Sequence, residues 1–508
     1  MSSLGGRALG GIAAAAVAVG AAQLVGAGFG PRADVRTAVG SSVIELTPGP
    51  VKEWAIGTFG MSDKLVLSVL VLVVVAAIAA LAGIAESPRR PLGSVMVVAA
   101  GVLGGAAVLS RNGATVVDLV PTVVGAVCGV AVLRFLVSKR FTGPQQKPGV
   151  EEPDRARRRS LVTLALLTVG VASGVAGAVI TRLMSSVAGD RQAFALPKPD
   201  VTAAPIPAAV QPKGVALPSF VTSNADFYRI DTALAVPQLS RTDWKLRIHG
   251  MVDREVTYSY PDLDRFEVVE KPVTLTCVSN PVGGDLISNA VWTGYRVRDL
   301  LAGAGVHPDA DMVLSMSVDG WTAGTPVQAL TGGDALLAIG MNGEPLPIEH
   351  GYPARLVVPG LYGYVSATKW VVDLELTRFD RAEAYWTRLG WSARGPIKTE
   401  SRIDVPRAGQ DVPVGPVTFG GVAWAQNRGV RAVEVQMDDG EWQQATLGAG
   451  YSGDTWRLWS FNWVARDTGF HKITVRATDN TGYTQTAERA DPVPDGATGW
   501  HSITFAVR

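Results

Sequence analysis

The sequence predicts a helical anchor of five membrane spans, followed by an α+β domain and a C-terminal β-sandwich. Three observations carry this reading. Apolar runs of bilayer-spanning length crowd into the first 185 residues. Short alternating strands and short helices interleave over 219–396. From 397 to 508, strands alternate with period two at sandwich spacing. The domains read 1–185 helical, 186–218 a Pro/Ala-rich linker, 219–396 the α+β domain and 397–508 the sandwich. A chain of 508 residues is too long for one domain. Mean hydropathy is +0.21 and 18% of residues are charged, an apolar balance that the first 185 residues supply.

The spans come first. A bilayer needs roughly 20 apolar residues. Run 8–31 lies between Arg7 and Arg32, run 65–85 between Lys64 and Glu86, and run 91–110 between Arg90 and Arg111. Run 115–137 carries Asp118 and Arg134 near its ends, where both reach the interface. Run 160–181 is the fifth. The first is longer than the apolar part of a signal peptide, so it reads as a retained helix. Lys139, Arg140, Lys147, Arg155, Arg157, Arg158 and Arg159 separate runs four and five, and Arg89 and Arg90 separate runs two and three. Basic loops stay cytoplasmic. The amino terminus is then inside and everything beyond about residue 185 is outside. Arg158-Arg159 before an apolar helix has two readings: the anchor of run five, or a twin-arginine export signal placed internally. Gly, Ala and Ser let these helices approach closely. No run holds a central His, Glu or Lys, which argues against a transporter.

A net charge of +1 without a basic, aromatic-laced stripe gives no case for nucleic acid. The two cysteines, Cys128 in a span and Cys277 beyond, form no zinc, haem or iron–sulfur pattern.

The α+β domain then reads in order. Segment 244–250 alternates as a strand with 256–260 as its hairpin partner, and Tyr260-Pro261-Asp262-Leu263 starts a short helix. Residues 273–278 form a buried strand that breaks into Ser279-Asn280-Pro281 and a double glycine. Cys277 stands where strand becomes loop. A thiolate there suits a metal ligand or a nucleophile, and a small buried hydrophobe fits as well. Segment 289–295 follows, then a helix at 297–304, strands at 312–318, 335–341 and 355–358, and a helix from 326. In the sandwich, strands fall at 430–437, 456–464 and 471–478, with a hairpin at Asp438-Asp439-Gly440. His471 and His501 read as structural.

Four ordered blocks resemble the sulfite oxidase family of molybdopterin enzymes: Thr274-Leu275-Thr276-Cys277-Val278-Ser279-Asn280; Asn289-Ala290-Val291-Trp292-Thr293-Gly294; Met341-Asn342-Gly343-Glu344-Pro345 running on through His350 and Arg355 to Gly360; and Lys369-Trp370. The likeness spans about 224–508. It implies a molybdopterin domain, an immunoglobulin-like dimerisation domain and a molybdenum–molybdopterin cofactor bound through the Cys277 thiolate. It further implies that Arg355, His350, Lys369, Ser366, Thr368, Asn224, Tyr228, Arg229 and, by its distance from Cys277, Ser317 contact the cofactor. A single soft thiolate suits molybdenum, and guanidinium suits a phosphate or pterin oxygen. The five-span anchor with its arginine pair resembles actinobacterial members that combine two export routes.

The departures from the family pattern bear on the substrate. Sulfite-oxidising members carry arginines after the cysteine loop and before the Lys-Trp pair. Here those places hold Pro281 and Val282, and Gly363 to Lys369 without arginine. A small dianion has less to bind, so sulfite is not expected. The expected function is oxygen-atom transfer on a small extracytoplasmic substrate. Electrons would pass to an external carrier or membrane redox partner, with a homodimer formed through the sandwich. The competing class is a non-catalytic receptor that binds through the sandwich.

Overall fold

The computed structural model describes residues 4–48, 51, 54, 58, 63–111, 113–138 and 155–508. Lys139, Arg140 and Lys147, part of the basis for orientation, lie outside them. The chain forms two compact units, Met1–Ser186 with Ala233–Val236, and Val187–Thr232 with Pro237–Arg508.

The first unit is helical: α1 (Leu4–Gly26), α2 (Val35–Leu46), α3 (Asp63–Ala85), α4 (Leu92–Leu109), α5 (Val120–Leu136) and α6 (Arg155–Ser185). All but α2 belong to the five segments long and apolar enough to cross a membrane. α1 packs against α3, α5 and α6. Small residues make this possible, as the composition predicts. A Cβ on Gly11 would collide with the Ala79 carbonyl, and one on Gly20 with the Gly170 carbonyl. The loop expected at 32–64 contains α2, capped by Asp34, whose carboxylate accepts from Arg36 N at 3.0 Å and Thr37 Oγ1 at 2.8 Å. Glu86, read from sequence as a flank, is buried. Its carboxylate accepts from Arg134 Nη1 at 3.0 Å and Ser94 N at 2.7 Å, joining the ends of α3, α4 and α5.

The second unit opens with α7 (Ala188–Ala193) and an extended stretch. The Pro/Ala-rich segment expected as a linker is extended but not free. Asp200 N donates to Val268 O at 2.8 Å and Glu270 N to Val201 O at 2.8 Å. Ala449 N donates to Ala209 O at 2.8 Å, and Tyr451 Oη to Ala204 O at 2.7 Å. Proline and alanine set the backbone conformation. Its docking comes from hydrogen bonds to the unit's own strands.

The α+β part contains β1 (Lys245–Gly250), β2 (Val256–Ser259), β3 (Val268–Thr276), β4 (Ile287–Arg296), α8 (Val297–Ala302), β5 (Met312–Ser317), β6 (Thr322–Pro326), α9 (Val327–Thr331), β7 (Leu336–Met341), β8 (Glu344–Pro345), β9 (Arg355–Val357) and β10 (Val371–Thr377). One sheet runs β2-β1-β10-β5-β6, with β1 and β10 parallel. The other runs β3-β4-β7-β8, with β9 beside β7. Trp244, Ile248, Leu374, Leu337 and Leu356 fill the core shared by the two sheets. On its far side the second sheet buries Val273, Leu275, Trp292, Ala338 and Tyr352. Covering on both faces explains why every residue of β7 is buried and its sequence is continuously apolar.

The sandwich follows: β11 (Glu400–Val405), β12 (Asp411–Val412), β13 (Gly415–Trp424), β14 (Val430–Met437), β15 (Trp442–Gln444), β16 (Thr446–Leu447), β17 (Arg457–Ala465), β18 (Gly469–Asp479) and β19 (His501–Val507). Sheets β11-β13-β17-β16 and β12-β19-β18-β14-β15 enclose Phe419, Val433, Trp459, Ile473 and Phe505. The expected hairpin is present: Asp438 and Asp439 have φ of 49° and 57°, the pattern of a tight two-residue turn.

The sandwich also grips β3. Gln426 Nε2 donates to Thr276 Oγ1 at 3.0 Å, Trp456 N to Thr274 Oγ1 at 2.8 Å and Arg402 Nη1 to Gly284 O at 2.7 Å.

Candidate active site

β3 and β4 are antiparallel neighbours, and the chain between them, 277–286, is an excursion held at its neck. Cys277 N donates to Leu286 O at 2.9 Å, and Leu286 N to Asn280 Oδ1 at 2.9 Å. Gly284 N donates to Pro281 O at 2.8 Å. The N–H groups of Val278 and Ser279 and the Ser279 hydroxyl favour the ionised form of the Cys277 thiol. Burial raises its pKa, and these donors oppose the rise. Burial keeps the sulfur protonated on its own, and a bound cation would favour its deprotonation.

Gly283 has φ +79°, and a Cβ there would run into the His501 ring. His501 is itself fixed, since Ile403 N donates to its Nδ1 at 3.0 Å. Gly283→Ala should cost about 2 kcal/mol, read as a lower thermal midpoint of the full chain.

A group of cations lies near the thiol. Tyr228 feels the charge of both Cys277 and Arg355, and burial drives its pKa upward. Its ring stacks on Phe227 at 5.4 Å, and Phe227 meets Trp292 and His350 edge-on. Arg355 opens β9 and is 5% exposed. It reaches only carbonyls, those of His350 at 3.2 Å and of Leu356 and Ala367 at 3.4 Å, and it lies over the Trp292 ring. No carboxylate among the described residues pairs with it, and burial lowers its pKa to about 10. Lys369 Nζ meets Asp231 Oδ2 at 2.8 Å, and Arg229 Nε meets the same oxygen at 3.0 Å. Burial, opposed by Asp231 and assisted by Arg355 and Arg229, lowers Lys369 to about 8. His350 falls to about 4 through burial and the Arg355 and Lys369 charges. It is therefore neutral, and its Nε2 is 3.3 Å from Asn224 O.

Three cations thus face one carboxylate in a largely buried space. Such an excess is costly until an anion enters. Gly351 permits the crowding. Its φ is +112°, and a Cβ would press on Arg355 Cβ at 3.0 Å and Lys369 Cβ at 3.2 Å. Trp370, next in the chain, holds φ 50°, a strained value for a bulky residue.

The remaining expected residues divide. Asn224 directs its side chain to Met341 O and Asn342, so only its carbonyl reaches His350. The Ser366 hydroxyl donates to Tyr362 O at 2.9 Å, and Thr368 Oγ1 is 2.7 Å from Ser315 Oγ. Both hydroxyls are engaged within the protein. Ser317 lies two residues along the same face of β5 as Ser315, and its buried hydroxyl has no partner. Sequence reasoning missed the sandwich residues Arg402, Gln426 and Trp456 behind the cysteine strand. No local pattern marks them, because each acts across more than 100 residues of chain.

The profile of a family described as "Oxidoreductase molybdopterin binding domain" matches residues 233–386. The uncharacterized oxidoreductase YuiH of Bacillus subtilis (strain 168) is 36% identical over 154 residues, covering 30% of this chain and 75% of YuiH. Human mitochondrial sulfite oxidase is 30% identical over 290 residues, covering 47% of this chain and 52% of that protein. The chain therefore spans about half the length of that relative. Among solved structures, the sulfane dehydrogenase SoxCD from Paracoccus pantotrophus matches at 25% identity and a TM-score of 0.47, covering 54% of this chain and 76% of that one.

Proposed function

Because this chain belongs to the sulfite oxidase family of molybdopterin oxidoreductases, we propose that it is a membrane-anchored enzyme that transfers an oxygen atom to or from a small extracytoplasmic substrate other than sulfite. One observation carries the reading: the Cys277 thiol and the buried Arg355, which has no carboxylate partner among the described residues, both act on Tyr228.

The family's cofactor is molybdenum held by molybdopterin. When bound, it supplies the two-electron oxygen-transfer chemistry. The residues present fit it. Among the described residues no cluster of three His, Cys, Asp or Glu side chains is placed to hold a metal. One thiolate plus an organic ligand is a donor set that suits these surroundings. Cys277 would be the protein's metal ligand. Arg355, Lys369 and Arg229 would hold the anionic end of the pterin, and Ser317 would offer it a free hydroxyl. Neutral His350, with Nε2 turned to Asn224, keeps Nδ1 as an acceptor for a ring N–H. Tyr228 and Phe227 would exclude water along one side. Ser366 and Thr368 would act by shaping their loop, and Asn224 by fixing the segment that crosses the site.

The apolar helices support an anchor, and the basic loops of the sequence support an orientation with the second unit outside the cytoplasm. An external carrier or membrane partner would take or supply electrons one at a time. The immunoglobulin-like sandwich would form a homodimer. Metal and pterin content of the detergent-purified full chain tests the reading. Near-stoichiometric molybdenum with background sulfite turnover is expected, and no molybdenum from cells that make the cofactor would overturn it.

Arg158 and Arg159 lie in α6, the first exposed and the second buried. Read as an export signal, they require guanidinium at both places. The double change Arg158→Lys with Arg159→Lys should leave the second unit inside the cell, as measured by protease protection in spheroplasts. Unchanged exposure would leave the pair as a charge anchor only.

A further inference from the structure

The helical unit collects arginines at one end. α1 begins there with Leu4, α3 ends there with Ala85, α5 ends with Leu136 and α6 begins with Arg155. Among the described residues, the carboxylate at this end is that of Glu86, and it is already committed. It accepts from Arg134 Nη1 at 3.0 Å, Ser94 N at 2.7 Å and Ser94 Oγ at 3.1 Å. The Glu86 backbone carbonyl accepts from Arg7 Nη2 at 2.6 Å.

Arg157 and Arg158 are exposed, as long basic side chains at a membrane boundary are when they reach for water. Arg159 is different. It is 8% exposed, and its Nε and Nη1 are buried without a hydrogen-bond partner. Its guanidinium is held between α1 and α6 with α5 alongside: a Cβ on Gly10 would stand 3.9 Å from Arg159 Nη2 and 3.4 Å from Leu136 Cδ1. The charge that acts on it is that of Arg7, which repels it. A guanidinium taken from water without a counter-charge is costly, and buried donors without acceptors are rare.

The missing partner must be an anion that accepts several N–H bonds, and phosphate suits guanidinium best on both counts. The surroundings select its source. Leu9, beside Gly10 on α1, and Leu161 and Leu164, just beyond Arg159 on α6, are exposed. Both helices are long and apolar enough to cross a membrane. A phosphate carried on acyl chains finds hydrocarbon-compatible surface next to the charge, whereas a free phosphate gains nothing from it.

We propose that Arg159, with Arg7 beside it, binds the phosphate of an anionic phospholipid in the leaflet at this end of the bundle and so ties α6 to α1. A net negative headgroup is favoured over a zwitterionic one because the arginines here exceed the carboxylate. The assignment rests on the membrane-anchor reading above and is independent of the molybdenum reading.

The test uses the full chain purified in detergent. Phosphatidylglycerol binding is read by native mass spectrometry, and the thermal midpoint of delipidated protein is read before and after the lipid is restored. The wild type should bind phosphatidylglycerol in preference to phosphatidylcholine and unfold at a higher temperature with it. Arg159→Leu should bind it about tenfold more weakly, the loss of one hydrogen bond to a charged group, and should lose the rise in midpoint. Arg157→Leu removes the same charge from an exposed place and should behave as the wild type. Unchanged lipid binding in Arg159→Leu would overturn the proposal, as would an equal loss in Arg157→Leu. Two results on the wild type alone would do the same: no preference between the two lipids, or a rise in midpoint with inorganic phosphate that matches the lipid's. Each leaves the anchor intact. Membrane partition is measured first, and wild-type protein that stays in solution without detergent would overturn the anchor and this site together.

Discussion

Replacing Cys277 by alanine should leave the chain folded and reduce turnover by more than about a hundredfold, beyond the range of losses at supporting residues. The substitution deletes one sulfur at the end of β3. The neck bonds of the loop are made by backbone groups and by Asn280, so the excursion keeps its shape. The cations proposed to hold the pterin are untouched. The expected outcome is therefore divided: pterin retained at least in part, and the metal's electron-resonance signal altered or lost. An unchanged signal would remove Cys277 from the coordination sphere.

Arg355→Met should move stability and cofactor content in opposite directions. The guanidinium is buried against Trp292 with only long bonds to carbonyls and no carboxylate. Methionine of similar length removes that uncompensated charge, and the cofactor-free protein should gain on the order of 2 kcal/mol. The same change removes a cation that the anionic pterin would need, so pterin content of the purified protein should fall several-fold. Thermal unfolding of the cofactor-free protein and pterin fluorescence after release check the two halves. A variant that is less stable and still loaded would make Arg355 a structural residue.

Much of the architecture was legible from local pattern. The strand expected at 430–437 is β14 with the same bounds, and the turn at Asn342-Gly343 adopts the positive φ values its composition favours. These features depend on periodicity and turn chemistry within a few residues. The family resemblance named Tyr228, Arg229, His350, Arg355 and Lys369, which the structure gathers in one place. Three things were not legible. Residues 186–218 read as an extended Pro/Ala-rich linker, and composition does not show the surface on which the extended backbone lies. Ser366 and Thr368 had hydroxyls of the right type, yet both point at partners no motif records. The burial of Glu400 beside Trp424 carries no local mark, since the two meet only across the β11–β13 ladder.

The grip of the sandwich on β3 sets an order of assembly. Thr276 and Gln426 are 150 residues apart in sequence, and their bond fixes the strand end that carries Cys277. His501, which blocks any side chain at Gly283, lies 218 positions further along the chain. A nascent chain halted before these residues emerge has the thiol but not its backing. Closing contacts of such range is slow and comes late in folding. C-terminal truncations should therefore fail as cofactor acceptors even where the α+β part is complete. Loading belongs to a polypeptide that has already closed its sandwich onto the cysteine strand.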